Sequence, residues 1–421
     1  VGWMSAGLLV FGLAVGGAIV ARKPIAQISA LLLLRKADIP VRTLDVTEIG
    51  FSHIAFENVA LGGENGPSAK RVDIAWTAET LTALRVAQIS IIEPVVVLNY
   101  ADGRIAVDGL VPGESGSDGV TLFDRLNIVA ANVTVATRWG AANLRGDVEV
   151  VSREKGISLL SAHLLSASMD VARGNLSLAN VDVEPGKPVD ATVKIENVDL
   201  QSLLTMVGVE GASGAGSISG KIPFHLYLSD NGTKFGRLEI DTAQLSIATS
   251  WGLAEFVGNL EMESDSNGIV ATQGRLTSAT MDVAGGQLSL ADIVFVPDQP
   301  IEAMLKVEGI ELQSLLALID VEGLTGSGSI TGAIPIRLDE YGVSVSDGKM
   351  AATGPGILRY SGAALPKDIP GDDRQAVGSI ALARDALADF HYTVLTLGLD
   401  RVASGEGTLT AKMEGTNPQV L

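Results

Sequence analysis

The chain has no cysteine. A disulfide scaffold, a Cys-ligated zinc site and a cysteine nucleophile are excluded at the outset. Aromatic residues make up only 4% of the 421 residues, and there are just 4 histidines. Positive charge is also scarce: 30 Lys and Arg stand against 49 Asp and Glu, a formal net charge of −19. An acidic surface of this kind repels a phosphate backbone, so nucleic acid is not expected as a partner. What the chain has in abundance is aliphatic. Apolar residues reach 47%, and the mean hydropathy is +0.33. The excess of Val, Ile, Leu and Ala either fills a core or leaves an apolar surface open to a ligand.

The length suffices for several domain-sized units, and an internal repeat shows how it is used. Residues 123–234 return at 235–346, shifted by 112 positions without a gap. Phe123-Asp-Arg-Leu126 answers Phe235-Gly-Arg-Leu238, and Ser166-Ala-Ser-Met-Asp-Val-Ala172 answers Ser278-Ala-Thr-Met-Asp-Val-Ala284. Leu200-Gln-Ser-Leu-Leu204 answers Leu312-Gln-Ser-Leu-Leu316. Self-similarity of this kind points to stacked units sharing one elongated core. The expected organisation is a transmembrane anchor over 1–22, a juxtamembrane helix and strand unit over 23–120, repeats over 121–234 and 235–346, and a divergent third copy over 347–421. The turn at Gly415-Thr-Asn-Pro418 opens a segment that stops almost at once, which predicts that the last copy is incomplete.

Residues 1–20 carry no charge. As a helix they would rise about 30 Å, one hydrocarbon core. Arg22, Lys23, Arg35 and Lys36 follow, and taken alone they would put that side in the cytoplasm. Beyond Pro40 the pattern becomes that of strands, with short helices predicted at 78–84, 199–207, 311–319 and 383–390. In the repeats, Val193 and Ile195 alternate with Thr192, Lys194 and Glu196, and Leu305 and Val307 alternate with Met304, Lys306 and Glu308. A period of two gives a sheet with one apolar and one polar face. The apolar phase flips between Leu178 and Val181, where a bulge or tight bend is expected, and again within 288–295. The fold class is therefore mainly β: an elongated, twisted antiparallel sheet forming an apolar groove, with short docked helices and one N-terminal transmembrane helix.

The copies act as controls on each other. Gly214, Gly216 and Gly220 recur as Gly326, Gly328 and Gly332, which marks turns and close packing. Gly216-Ser-Ile-Ser-Gly-Lys221 has the wrong spacing for a phosphate loop, and Ala333 replaces its lysine in the next copy. His163 and His225 become Arg275 and Arg337, the behaviour of solvated polar positions rather than metal ligands. Glu261, Glu263 and Asp265 alternate along a strand and so share a solvated face. No Gly-x-Ser-x-Gly elbow is present. Trp139 recurs as Trp251, a core or strand-end anchor. No catalytic residue, metal or cofactor is expected, and the chain does not read as an enzyme.

The apolar face remains. A nine-residue helix per copy is about 14 Å long and covers only part of a sheet of about seven strands, roughly 35 Å wide. The inward residues Val148, Val150, Val193, Ile195, Leu238, Ile240, Leu260, Met262, Leu305 and Val307 are the candidate lining of a lipid groove. Burial of one lipid methylene contributes roughly 0.8 kcal/mol, so a few suffice. The segments Val321-Glu-Gly-Leu-Thr-Gly-Ser-Gly-Ser-Ile-Thr-Gly-Ala-Ile-Pro335, Gly342-Val-Ser-Val-Ser-Asp-Gly-Lys-Met350 and Gly354-Pro-Gly-Ile-Leu-Arg-Tyr360 resemble the C-terminal domain of YdbH-like proteins, of the AsmA-like superfamily, also labelled "dicarboxylate transport". The resemblance implies a single-pass inner-membrane protein of a Gram-negative bacterium, with its body in the periplasm. Its hydrophobic β-groove would conduct phospholipid between inner and outer membranes. It also implies an outer-membrane lipoprotein that adds a strand at the C-terminal edge. The implied orientation and the basic residues after the span point opposite ways. A non-enzymatic structural or assembly factor for the outer membrane is the alternative reading.

Overall fold

In the computed structural model, residues 40–83, 85–101, 104–108, 123–153, 156–207, 215–228, 235–249, 252–265, 268–318, 323–361, 387–403, 405 and 407–418 are described. Of these, 78% lie in strands. The expected anchor over 1–22 and the helical segment at 24–36 lie outside the described residues. Among the described residues no helix is long and apolar enough to cross a membrane. Two compact units divide the chain: one holds residues up to Gly214 and Pro223–Leu238, the other Ala215–Ile222 and Glu239 onward.

The first unit opens with β1 (Val41–Ile49), β2 (His53–Leu61), β3 (Ser68–Ala75), the short helix α1 (Ala78–Thr82) and β4 (Val86–Ala101). These four strands pair antiparallel in sequence order. Next come β5 (Arg104–Val107) and β6 (Phe123–Thr137). β5 folds back onto the end of β4, and β6 then runs beside β4 in parallel, from Val86↔Phe123 to Asn99↔Ala136. Among the described residues of this unit the pairing is antiparallel except for this step. A parallel pair needs a long crossover, and the chain between Ala101 and Phe123 is long enough for one. Antiparallel pairing resumes through β7 (Gly140–Arg153), β8 (Gly156–Val171), β9 (Gly174–Val183) and β10 (Val189–Asp199). Helix α2 (Leu200–Val207) follows β10.

Strands β11 (Ser217–Leu228) and β12 (Phe235–Thr249) have residues in both units. The second unit continues with β13 (Gly252–Asp265), β14 (Gly268–Val283), β15 (Gly286–Phe295), β16 (Ile301–Glu311) and helix α3 (Leu312–Leu318). Then come β17 (Leu324–Gly326), β18 (Ser329–Asp339), β19 (Gly342–Ala352), β20 (Gly356–Tyr360), β21 (Phe390–Arg401) and β22 (Gly407–Thr416). Its antiparallel order is β13-β14-β15-β16-β18-β19-β21-β22, with β20 beside the start of β21 and β17 beside β20. Phe390, which the sequence pattern placed at the end of a helix, opens β21, and residues 383–386 lie outside the described residues.

The repeat is built into the strands. β6 to β10 and β12 to β16 begin and end at positions 112 apart, Gly140–Arg153 matching Gly252–Asp265 and Val189–Asp199 matching Ile301–Glu311. Even the irregularities repeat: the β7–β8 register shifts after Arg145 and after Glu149, and the β13–β14 register after Val257 and after Glu261. Gly220 and Gly332 show why glycine recurs. A Cβ there would come within 2.1 Å of the Gln244 carbonyl oxygen or 2.2 Å of the Lys349 carbonyl oxygen, a distance only hydrogen can occupy. α2 is started by Asp199, whose carboxylate accepts from the Ser202 N–H at 2.8 Å. Hydrogen bonds from the Ser202 hydroxyl and backbone hold that carboxyl below its ordinary value, as expected of an N-cap.

Candidate functional site

Inward residues line up from strand to strand. In the first unit one row runs Val46, Phe56, Val72, Ile91, Ile128, Val148, Ala162 and Val183, each registered with the next. In the second unit a row runs Ala254, Met281, Leu288, Val307, Gly332, Met350, Leu397 and Ala411. Each row crosses eight strands, so each unit presents a band of aliphatic surface. This band follows from period-two alternation held in register, since a one-residue slip would send the whole set to the other face.

The bands are not filled evenly. Leu44, Val46, Ile54, Phe56, Ile74, Trp76, Val86, Ile89, Phe123 and Leu126 form a closed core over β1–β6. The Trp76 indole N–H donates to the Phe51 carbonyl at 3.1 Å. In the second unit Val283, Val307, Ile310, Ile334 and Val345 form one core cluster. Leu312, Leu316, Ile330, Leu358, Tyr392 and Leu395 form another, beneath α3. Tyr392 donates its hydroxyl to the Ser327 carbonyl at 2.6 Å, and burial pushes that phenol up.

Of the ten candidate lining residues, the first unit holds Val148, Val150, Val193, Ile195 and Leu238, all half-buried. Val148 continues the row through Ile91 and Ile128. Val150 packs at the margin of the β1–β6 core, and Ile195 faces Leu176. The second unit holds Ile240, Leu260, Met262 and Leu305, half-buried, and Val307, only 3% exposed. Ile240 and Leu260 border one shallow depression together with Glu239, Asp241, Asn259, Glu261 and Gln273. Leu305 packs against the cluster that buries Val307. Val307 is therefore sealed by its neighbours. Ile91 and Ile128, which join Val148 to the closed core, are not among the ten; their alternation with Ser90, Asn127 and Val129 is the signal in the sequence.

The opposite face carries the charge. His163 Nδ1 lies 2.7 Å from Asp182, and His225 Nδ1 lies 2.6 Å from Asp190. In the next copy Arg275 pairs with Asp292 at 2.8 Å and Arg337 with Glu302 at 3.0 Å. Lys70 pairs with Glu93 at 2.6 Å, which raises its pKa. Arg71 is ringed by Glu48, Glu57 and Asp73. Trp139 marks the β6–β7 hairpin tip, half exposed, with the Arg138 guanidinium 4.5 Å above its ring. Among the described residues no polar or charged residue is buried, and no three His, Asp or Glu gather in a way that would hold a metal ion.

In each unit a largely antiparallel sheet carries charge on one face and a band of aliphatic residues on the other, which defines a mainly β protein. Its kinship is more specific. A family model described as "YdbH-like: Intermembrane phospholipid transport protein YdbH" matches residues 95–234 and 257–421, and the chain belongs to the YdbH-like family. No curated protein and no solved structure matches the chain.

Proposed function

We propose that the aliphatic band carries phospholipid acyl chains between the inner and outer membranes, with head groups left in water beside the sheet. The observation that carries this reading is the pair of half-open stretches, one bearing Val148, Val193 and Ile195 in the first unit and one bearing Ile240 and Leu260 in the second, in a chain of the phospholipid-transport family. Acyl chains need no polar partner, and each methylene moved from water contributes roughly 0.8 kcal/mol. A chain can therefore slide along a row of aliphatic side chains without a deep energy well at any one position. In this reading residues 1–22 anchor the protein in the inner membrane and the body lies in the periplasm. The copies at 121–234 and 235–346 each add a length of groove. The divergent 347–421 continues it as far as β22, and an outer-membrane lipoprotein would add a strand at the C-terminal edge of the sheet.

The test is site-specific photo-crosslinking at Ile240, with the exposed Lys194 on the polar face as control. Phospholipid adducts at Ile240 and none at Lys194 are expected, and Ile240→Asp should abolish lipid passage while leaving the circular dichroism spectrum intact. Equal labelling at both positions sinks the reading. Protein adducts alone at Ile240 would favour an assembly factor instead.

A further inference from the structure

On three of the strands where the inward alternation slips by one residue, the slip is a two-against-one bulge built the same way. In β6, Val129 and Ala130 together face the single Asp147 of β7. In β16, Glu308 and Gly309 face Thr331 of β18. In β19, Ser346 and Asp347 face Asp400 of β21. The second residue of each pair is left-handed, at φ 52°, 64° and 57°. Its N–H donates to the side-chain oxygen of the one facing residue: Ala130 to Asp147 at 2.7 Å, Gly309 to Thr331 at 3.1 Å, Asp347 to Asp400 at 2.7 Å.

All three acceptors are exposed. Left-handed backbone is costly for Ala130 and Asp347, so something must hold it, and the acceptor oxygen is what the geometry supplies. The repeat keeps the chemistry: Asn259 stands 112 positions after Asp147 and Ser219 stands 112 positions before Thr331, each with a side-chain oxygen. A bulge bends its strand and sharpens the local twist. Directly behind these slips lie residues of the apolar face: Ile128 and Ala131, Val307 and Ile310, Val345 and Gly348.

We infer that Asp147, Thr331 and Asp400 are positioning residues that, from the charged face, hold the bend by which the apolar face fits acyl chains. The inference rests on the lipid reading above, and none of the three touches lipid. The full chain is compared with two triple variants. Asp147→Ala, Thr331→Val, Asp400→Ala removes the acceptors; Asp147→Asn, Thr331→Ser, Asp400→Asn keeps them. Because the chain has no cysteine, nitroxides placed through Arg125→Cys and Ala136→Cys report the length of β6 across its slip. Loss of the acceptors should lengthen that distance by about 2 Å as the strand straightens. It should also remove about half or more of the co-purified phospholipid, read by mass spectrometry. The acceptor-keeping set should restore both. An unmoved distance, lipid retained at the longer distance, or equal loss in both sets overturns the proposal. If the triple set does not fold, Thr331→Val against Thr331→Ser decides it through lipid content. A parent chain without lipid removes the lipid reading and the positioning role with it, while the nitroxide distance still decides whether the side chains hold the bend.

Discussion

Within the first unit the aliphatic face forms a buried core cluster over β1–β6 and is mostly half open over β7–β10, where Val171, Val181, Val189 and Val198 are the buried exceptions. Both stretches alternate, both are antiparallel apart from the β4–β6 step, and both are rich in Val and Ile. They differ in bulk. The sealed stretch has Phe56, Trp76 and Phe123 in its core. Between Gly140 and Asp199 there is no aromatic residue at all. Aromatic side chains bring 150–250 Å² each on a typical estimate of about that size, and without them Val148, Val193 and Ile195 do not fill the space in front of the sheet. Alternation therefore decides which face is apolar, while side-chain volume decides whether that face is a core or a surface.

That contrast can be broken most sharply at Phe56, which is 2% exposed. Phe56→Ala should cost about 3–5 kcal/mol, whereas Val193→Ala should cost about 1 kcal/mol or less, since the valine is already half in water. Urea unfolding followed by circular dichroism reads both, and equal losses would end the distinction between core and surface. A smaller difference separates the two helices, which share Leu-Gln-Ser-Leu-Leu. Leu312 and Leu316 of α3 are buried against Ile330, Leu358 and Tyr392, while Leu200 and Leu204 of α2 are half-buried. Leu316→Ala should cost about 2–4 kcal/mol and Leu204→Ala about 1 kcal/mol in the same measurement. The smallest effect concerns pH. Hydrogen bonds from Ser202 depress the Asp199 carboxyl below 3.8, so its contribution is present above that pH and is lost as pH falls through the lower folded value. The wild type should lose more helix-linked stability than Asp199→Asn between pH 5 and pH 3, read as melting temperature, by about a degree or two.

Much of this was legible in the chain. The repeat shift, the strands and the helices at 200–207 and 312–318 follow from period and self-similarity, which are local. The phase flip between Leu178 and Val181 is real: Asn180 and its counterpart Asp292 are left-handed, at φ 55° and 56°. The strand register stays continuous there, with Leu164↔Val181 and Ser166↔Ala179, so the feature is a tight bend and not a bulge. The slips at Ala130, Gly309 and Asp347 carry the same signature, inward residues three apart instead of two. Two features were not legible. The parallel step at β4–β6 depends on a crossover that alternation does not encode. The burial of Val307 depends on Val283, Ile334 and Val345, neighbours brought in from strands far along the chain.

The left-handed residues have a genetic corollary. In β16 the inward residues are Leu305, Val307 and Ile310, so loss of the codon for Gly309 would leave strict alternation with no apolar residue changed. The same holds for Ala130 between Ile128 and Ala131. Each bend is one residue away from a straight strand carrying the same face. Curvature along this sheet is therefore open to adjustment by single-codon insertions and deletions, independently of the substitutions that tune what the face binds.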